Sequence, residues 1–159
     1  MKELVGIAEQ IAAKLVARKQ TIAVAESSTG GLISASLLSV PGASAYFLGG
    51  AVVYTRTARS LLMDIPDEAM KGIRSASEPY AKLLAETAKR RFATDWGLSE
   101  TGATGPTGNR YGDAAGHSCM AVAGSTTSVI TLETGSNDRQ ANMHEFAKTA
   151  LGLLLKNLD

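Results

Sequence analysis

The sequence predicts an α/β domain with three layers, in which helices cover both faces of a mixed β-sheet. Two observations support this prediction. Amphipathic segments alternate with short apolar runs in the order α-β-α-β-α-α-β-β-β-α, which is typical of such a sheet. The chain has 159 residues, of which 45% are hydrophobic and 19% charged, enough for one well-buried core. We interpret residues 1–159 as a single domain, because no repeat, linker or low-complexity tract interrupts the pattern.

The first half of the chain is predicted to contain two helices and two short strands. Apolar residues recur with helical spacing over Leu4–Val16, which predicts the first helix. The run Thr21–Ala25 is short, apolar and partly β-branched, like a buried strand. Leu32–Val40 predicts a helix that ends at Pro41. Ala51–Thr55 predicts the second strand.

The second half is predicted to contain three strands, two long helices and two short helical segments, which the order above counts as one helix. Ser77 is expected to cap a long helix, and Asn137 to cap the last one. The final two strands are expected to form a hairpin across Gly124 and Ser125. The remaining elements in this half are short helices at 57–63 and 66–72, a long helix at 78–94, and strands at 96–101, 117–124 and 128–134.

Charge and composition exclude several classes of partner. The net charge is +1, and no basic run is interleaved with aromatic residues, so we expect no nucleic-acid partner. The uncharged stretch 27–55 is long enough to cross a bilayer. It contains Pro41 and five glycines, however, so we expect buried elements and no membrane partner. Charges interrupt the first residues, unlike a signal peptide, and the single Cys119 favours a reducing compartment. We therefore expect a cytoplasmic protein, and also a homo-oligomer.

The segment Ala25–Gly31, with the sequence AESSTGG, lies where a predicted strand turns into a predicted helix. It offers the hydroxyls of Ser27 and Thr29, while Gly30 and Gly31 allow the backbone to approach a ligand. Free amides at the start of a helix favour an anion. We interpret these residues as a phosphate or nucleotide site rather than a simple capped turn. The segment is not a P-loop, because no Lys-Ser/Thr pair follows the second glycine.

A second candidate segment, Thr101–Gly116, has five glycines in sixteen residues. It matches neither the dinucleotide fingerprint nor a kinase glycine loop, and an ordinary surface loop is an equal interpretation. Thr101, at the predicted strand end, and the adjacent Gly102 are expected to face a ligand. Arg139 lies near the start of the last helix, where the helix dipole disfavours a cation. A bound phosphate or carboxylate would explain it, and a solvated surface arginine is the alternative.

The two histidines belong to no metal-binding pattern. Neither His117 nor His144 lies in a His/Cys cluster, so we expect no metal and no cofactor. His144 is expected to be structural or exposed. His117 adjoins the glycine-rich segment and is a candidate base.

Taken together, five motifs resemble those of the CinA C-terminal domain family, the nicotinamide mononucleotide deamidases. That family shows A-E-S-C-T-G-G, P-G-S-S-x-x-F, Y-S-N-x-x-K, T-G-I-A-G-P and G-D-R in this order. The present chain has AESSTGG, PGASAYF, YTRTAR, TGATGP and NDR in the same order at similar separations. The likeness covers nearly the whole chain, and the first and fourth motifs together are specific.

The resemblance implies hydrolysis of the nicotinamide amide by a serine nucleophile, with release of ammonia. It implies that Ser44 is the nucleophile and Tyr54 its hydroxyl partner. It also implies that Ser27 and Thr101 line the substrate pocket, and that Arg139 holds the phosphate of a pyridine mononucleotide. We expect Ser27, Ser44, Tyr54, Arg59 and Thr101 to converge on one pocket, with Arg139 near it.

Arg59 departs from the family pattern, which has a lysine that accepts the serine proton. An arginine stays protonated and has no acceptor lone pair. Two hypotheses stay open. In one, the protein is an amidohydrolase in which another base, such as His117, serves Ser44. In the other, it is a catalytically silent domain that binds a nucleotide. A sugar-phosphate binder or isomerase-like domain, suggested by the serine-rich segment alone, explains neither Arg59 nor the Ser44–Tyr54 pair.

Overall fold

The computed structural model describes all 159 residues and confirms the predicted α/β class. It contains five α-helices, five strands and two short 3₁₀ turns at Ala43–Ala45 and Asp67–Met70. The helices are α1 (Lys2–Arg18), α2 (Leu32–Leu38), α3 (Arg56–Met63), α4 (Glu78–Phe92) and α5 (Arg139–Asn157). The strands are β1 (Ile22–Glu26), β2 (Phe47–Val52), β3 (Trp96–Ala103), β4 (His117–Ala123) and β5 (Thr127–Glu133).

The five strands form one mixed sheet in the order β2-β1-β3-β4-β5. Strand β1 pairs in parallel with both β2 and β3, while β4 runs antiparallel to β3 and to β5. The carboxyl ends of β1, β2 and β3 therefore lie at the same end of the sheet, together with the start of β4. Loops that leave parallel strands at this end are where α/β proteins bind ligands.

Helices cover both faces of the sheet, as the sequence predicts. The larger core lies between the sheet and α1, α2 and α5, where Leu98 and Met120 are buried with Phe146. On the other face, α3 and α4 pack against β1 and β2 through residues that include Tyr80 and Leu84. All five residues of β1 are buried, because this strand is covered on both faces and paired on both sides.

The second strand lies earlier than predicted: it spans Phe47–Val52 rather than Ala51–Thr55. The glycine pair Gly49-Gly50 lies within the strand, where both glycines are packed closely. A Cβ on Gly49 would overlap the ring of Phe92, and one on Gly50 would lie 2.5 Å from the Ser34 hydroxyl. Glycine here reflects close approach of helices to the sheet, not a turn.

The helix caps are largely as predicted. The Ser77 side chain accepts a hydrogen bond from the Tyr80 amide at the start of α4, which confirms its role. For α5 the prediction was one residue early: Asp138, not Asn137, is the cap, and it accepts from the Ala141 amide. None of the helices combines the length and apolar character that crossing a bilayer requires.

Candidate functional site

A cleft of about 580 Å³ opens at the end of the sheet where the parallel strands terminate. Its walls come from the carboxyl ends of β1, β2 and β3, from α3, from the segment 67–80 and from the glycine-rich segment. Five residues singled out by the sequence line it: Ser27, Tyr54, Arg59, Thr101 and Gly102. Helices and strands converge there because the parallel topology brings three loops together.

The carboxylate of Glu26 organises the start of α2. Although fully buried, it accepts backbone hydrogen bonds from Gly31, Ile33 and Ser34, at 2.9, 3.1 and 2.9 Å. It also accepts from the hydroxyls of Thr29 and Ser34. An acidic group at this position is well placed, because the first amides of a helix have no partner within the helix.

A second buried carboxylate, Glu100 of β3, holds the other side of the serine-rich segment. Its Oε2 accepts from the amides of Ser27 and Thr29 at 3.1 and 3.0 Å. Its Oε1 accepts from the hydroxyls of Ser28 and Ser118. Burial raises the pKa of Glu100, although the hydrogen bonds from Ser28, Thr29 and Ser27 act against that rise.

These carboxylates correct one expectation from the sequence. The amides of Ser27, Thr29 and Gly31 are not free for an external phosphate, because Glu26 and Glu100 already accept from them. Thr29 is fully buried, and Gly30 donates its amide to the Ser27 carbonyl. Only Ser27 presents a side chain to the cleft, and its hydroxyl makes no hydrogen bond within the chain. The signal in the sequence is a glutamate at the last position of the apolar strand β1 and a second one inside β3.

Arginines supply the charge of the cleft, and of the four that line it the sequence indicates only Arg59. Arg56 and Arg59 on α3 share the carboxylate of Asp67. Arg56 donates from Nε to Oδ1 at 3.0 Å, and Arg59 donates from Nη2 to the same oxygen at 2.8 Å. The hydrogen bond from Arg56 lowers the pKa of Asp67. Arg59 is only 8% exposed, and its Nε is buried without a hydrogen-bond partner.

The opposite wall carries a second pair of arginines around an aromatic ring. Arg74 forms two hydrogen bonds to Asp113, at 2.7 and 3.1 Å. Its guanidinium and that of Arg110 lie 5.3 and 5.1 Å from the centroid of the Tyr111 ring. Asn109 also donates to Asp113, at 2.8 Å. The glycine-rich segment is therefore an ordered wall of the cleft rather than a loose surface loop.

Thr101 and Gly102 line the cleft, and both are also fixed by contacts with neighbouring backbone. The Thr101 hydroxyl oxygen accepts from the Ala76 amide at 3.0 Å, which leaves its hydrogen available to donate. A Cβ on Gly102 would lie 2.6 Å from the carbonyl oxygen of His117 on the neighbouring strand. Glycine at this position is thus explained by strand packing.

Arg139 lies beside the cleft rather than on its wall. Its Nη1 donates to the Gly105 carbonyl at 2.6 Å, and its Nη2 lies 3.4 Å from the Tyr54 hydroxyl. The Tyr54 side chain is largely exposed. Arg139 therefore connects the end of β2 to the glycine-rich segment.

The structure does not support His117 as a base. Its Nε2 donates to the Ala76 carbonyl at 2.7 Å, and its Nδ1 contacts the Glu133 carboxylate, so both ring nitrogens are occupied. Burial lowers the pKa of His117, but the bonds to Glu133 and Ala76 and the nearby Asp113 outweigh it and raise the pKa above its usual value. A raised pKa favours the protonated ring, which cannot accept a proton.

Ser44 does not join the cleft within one chain. It lies in the 3₁₀ turn before β2, whereas Tyr54 follows the carboxyl end of that strand. The six residues of β2 separate them by about 20 Å. The expected convergence is therefore wrong for Ser44, which is exposed at the opposite end of the sheet. The predicted strand Ala51–Thr55 contained Tyr54, whereas the observed strand begins at Phe47, so that Ser44 and Tyr54 flank its opposite ends.

No three His, Cys, Asp or Glu side chains are grouped as ligands for a metal ion. The carboxylates nearest the cleft are all engaged by arginines or by the serine-rich segment. Hydroxyls, guanidinium groups and aromatic rings are therefore the groups that a ligand would meet.

The fold and the site define a class: a three-layer α/β domain with an arginine-lined cleft at the ends of its parallel strands. The model of the CinA C-terminal domain matches residues 5–158, and the chain belongs to this family. The sequence resemblance to that family is thereby confirmed.

Individual relatives of the chain are CinA-like proteins. A CinA-like protein of Anaeromyxobacter sp. (strain K) is 36% identical over 146 residues, which cover 92% of this chain and 36% of that protein. One of Synechococcus sp. (strain CC9902) is 41% identical over 105 residues, covering 66% of this chain and 25% of the relative. The chain thus spans about a third or less of these relatives.

Solved structures show the same fold. A competence or damage-inducible protein from Enterobacter asburiae is 25% identical with a TM-score of 0.91, and the match covers 98% of each chain. The competence/damage inducible protein CihA from Agrobacterium tumefaciens is 24% identical with a TM-score of 0.89, covering 97% of this chain and 94% of that one.

The two buried carboxylates should respond differently to isosteric substitution. In Glu26 both oxygens accept backbone amides, so a glutamine must turn its NH₂ group against an N–H donor. We expect Glu26→Gln to lower the free energy of unfolding by about 1.5–3 kcal/mol. In Glu100 only Oε2 accepts amides, and the NH₂ of a glutamine could donate to the hydroxyls on the Oε1 side. We therefore expect Glu100→Gln to lower it by less than about 1 kcal/mol.

Urea unfolding of the wild type and both variants measures this difference. Equal losses in the two variants, or a larger loss in Glu100→Gln, would contradict the assigned hydrogen bonds.

Proposed function

We propose that the cleft binds a small phosphorylated ligand of the pyridine mononucleotide class and that it hydrolyses the amide of such a ligand slowly or not at all. The observation that carries the proposal is the set of four arginines on the cleft wall: Arg56, Arg59, Arg74 and Arg110.

These arginines outnumber the acids beside them. Asp67 is shared by two of them and Asp113 pairs with a third, so four guanidinium groups face two carboxylates. Arg110 has no acidic partner, and its only side-chain hydrogen bond is to the Tyr111 hydroxyl. An excess of two positive charges in a concave site favours an anionic ligand, and the guanidinium fork suits phosphate oxygens.

The rest of the cleft suits a small ligand with a ring. Its volume of about 580 Å³ is within the ordinary range for small-molecule sites. Met70, Ile73 and the rings of Tyr80 and Tyr111 supply apolar and aromatic surface among the charged groups. A mononucleotide combines these requirements, because it joins a planar ring to a phosphate.

The proposal of slow hydrolysis rests on proton transfer. A serine nucleophile needs a neighbouring group that accepts its proton. The cations of the cleft are arginines, which cannot do so. Burial raises the pKa of Tyr80, which keeps that hydroxyl protonated, and Asp67 is engaged by two arginines. Loss of general-base assistance is expected to reduce the rate by about 10²–10⁴.

A working deamidase is the second candidate, and the free Ser27 hydroxyl favours it. Ser27 lies in the same cleft as Tyr54 and Thr101, whereas the expected nucleophile Ser44 lies at the other end of the sheet. In that case the proton acceptor would have to come with the ligand or from a water molecule.

The cytoplasmic location and the homo-oligomer remain part of the proposal. Cys119 is a free buried thiol, as in a reducing compartment.

Strand β2 is an edge strand of the sheet, and Leu48 and Val52 on it are exposed. An exposed apolar edge strand favours pairing with a second copy.

Binding can be measured by calorimetric titration with nicotinamide mononucleotide. We expect measurable affinity for the mononucleotide and much weaker affinity for nicotinamide riboside, which lacks the phosphate. Arg110→Ala should weaken binding of the mononucleotide about tenfold to a hundredfold, because a charged hydrogen bond is lost. Arg90→Ala, on the last turn of α4 away from the cleft, is the matched control. Absence of binding at millimolar concentration, for both nicotinamide mononucleotide and nicotinic acid mononucleotide, would overturn the proposed ligand class.

Hydrolysis can be measured as ammonia release from nicotinamide mononucleotide. We expect the wild type to turn over slowly or not at all, since no base serves a serine in the cleft. The matched variants are Ser27→Ala and Ser44→Ala. Brisk turnover that disappears in Ser27→Ala would overturn the silent-domain proposal and support the deamidase. Brisk turnover that disappears only in Ser44→Ala would show that the site needs a residue from beyond this cleft.

Self-association can be measured by sedimentation velocity. We expect an oligomer that dissociates when Leu48 is changed to Lys, because a charge on an edge strand opposes pairing. Val16→Lys, on an exposed position of α1, is the control. A wild type that sediments as a monomer would contradict this expectation.

A further inference from the structure

Arg59 is the most deeply placed cation of the cleft, and its hydrogen bonding is incomplete. Its side chain is 10% exposed, whereas that of Arg56 beside it is 76% exposed. Its Nη2 donates to Asp67, but its Nε has no partner although it is buried. A charged donor that is buried without an acceptor is unfavourable, and such groups normally have one.

The local charge is also unbalanced. Asp67 accepts two hydrogen bonds from Arg56 and one from Arg59, so two guanidinium groups share a single negative charge. The nearby Tyr80 is a neutral phenol, because burial raises its pKa. This end of the cleft therefore has one positive charge in excess and one donor without an acceptor.

We propose that Arg59 makes the cleft selective for a ligand with a carboxylate, so that an acid pyridine mononucleotide binds in preference to the corresponding amide. This inference rests on the proposed function, since it names the form of the same ligand that the cleft takes.

The difference between acid and amide follows from their hydrogen-bonding groups. A carboxylate presents two acceptor oxygens and a negative charge, which match a guanidinium. An amide presents one acceptor, and its NH₂ group would turn donors toward another donor. Arginine keeps its charge at any ordinary pH, so the preference for the acid is permanent.

The phosphate of the ligand is assigned to the outer arginines rather than to Arg59. Arg110 has no acidic partner, and its side chain is exposed at the mouth of the cleft, where a strongly hydrated phosphate keeps contact with water. Arg59 is buried against α4, where a planar ring with a single carboxylate fits better than a phosphate does. The acid and amide forms of the nucleotide share the phosphate, so comparing them isolates the carboxylate.

The test is calorimetric titration of the wild type with nicotinic acid mononucleotide and with nicotinamide mononucleotide. We expect the acid to bind at least about tenfold more tightly, the effect of one charged hydrogen bond. In Arg59→Gln this ratio should fall to within about twofold, while the amide retains its affinity. Arg90→Gln, outside the cleft, should keep the wild-type ratio.

Asp67→Asn is a second test of the role of Arg59, in which the preference for the acid is expected to increase. Removing the internal carboxylate frees both guanidinium groups, so the ratio of acid to amide affinity should rise. This variant decides the question if Arg59→Gln does not fold, which circular dichroism would reveal. A ratio that stays constant or falls in Asp67→Asn would overturn the inference.

The outcomes separate the two proposals. If neither nucleotide binds, the proposed function fails and the inference fails with it. If both bind with equal affinity, or if the acid preference survives in Arg59→Gln, the proposed ligand class stands and only the role of Arg59 is overturned.

Discussion

The carboxyl end of the sheet depends on two buried carboxylates, Glu26 and Glu100. They lie on adjacent parallel strands, and the segment between β1 and α2 wraps around them with its amides and hydroxyls. A buried carboxylate without partners would be strongly unfavourable, so the two glutamates and the serine-rich segment require each other. Because the segment is fixed in this way, Ser27 has one defined position at the floor of the cleft.

These internal carboxyl groups decide where a ligand's charge can be accommodated. A helix start that already surrounds one carboxylate has few free donors for a phosphate, and a second negative charge nearby would be repelled. The positive charge available to a ligand comes instead from α3 and from the walls around Tyr111. The sequence AESSTGG thus resembles an anion-binding turn because it binds an anion, but that anion belongs to the protein.

The sequence predicts the fold well because periodicity and capping are local properties. The helical face of α1 and the cap at Ser77 are visible within a few residues. The site is harder to predict, because it depends on which strand ends meet. Ser44 and Tyr54 are close in sequence and lie at opposite ends of β2. Asp113 and Arg74 are distant in sequence and form an ion pair, which no local pattern indicates.

Arg59 connects the structure of the cleft to the question of its chemistry. A base and an anion-binding group require opposite properties, since a base must be able to lose its charge and an anion site must keep it. Burial can drive a lysine toward the neutral form, but a guanidinium in the same surroundings stays charged and needs a counter-ion. Asp67 supplies only part of that counter-charge, because it also serves Arg56. A position to which the family resemblance assigns a proton acceptor is, in this chain, a position that requires an anion. The same side chain thus accounts both for the proposed loss of hydrolysis and for the proposed preference for a carboxylate.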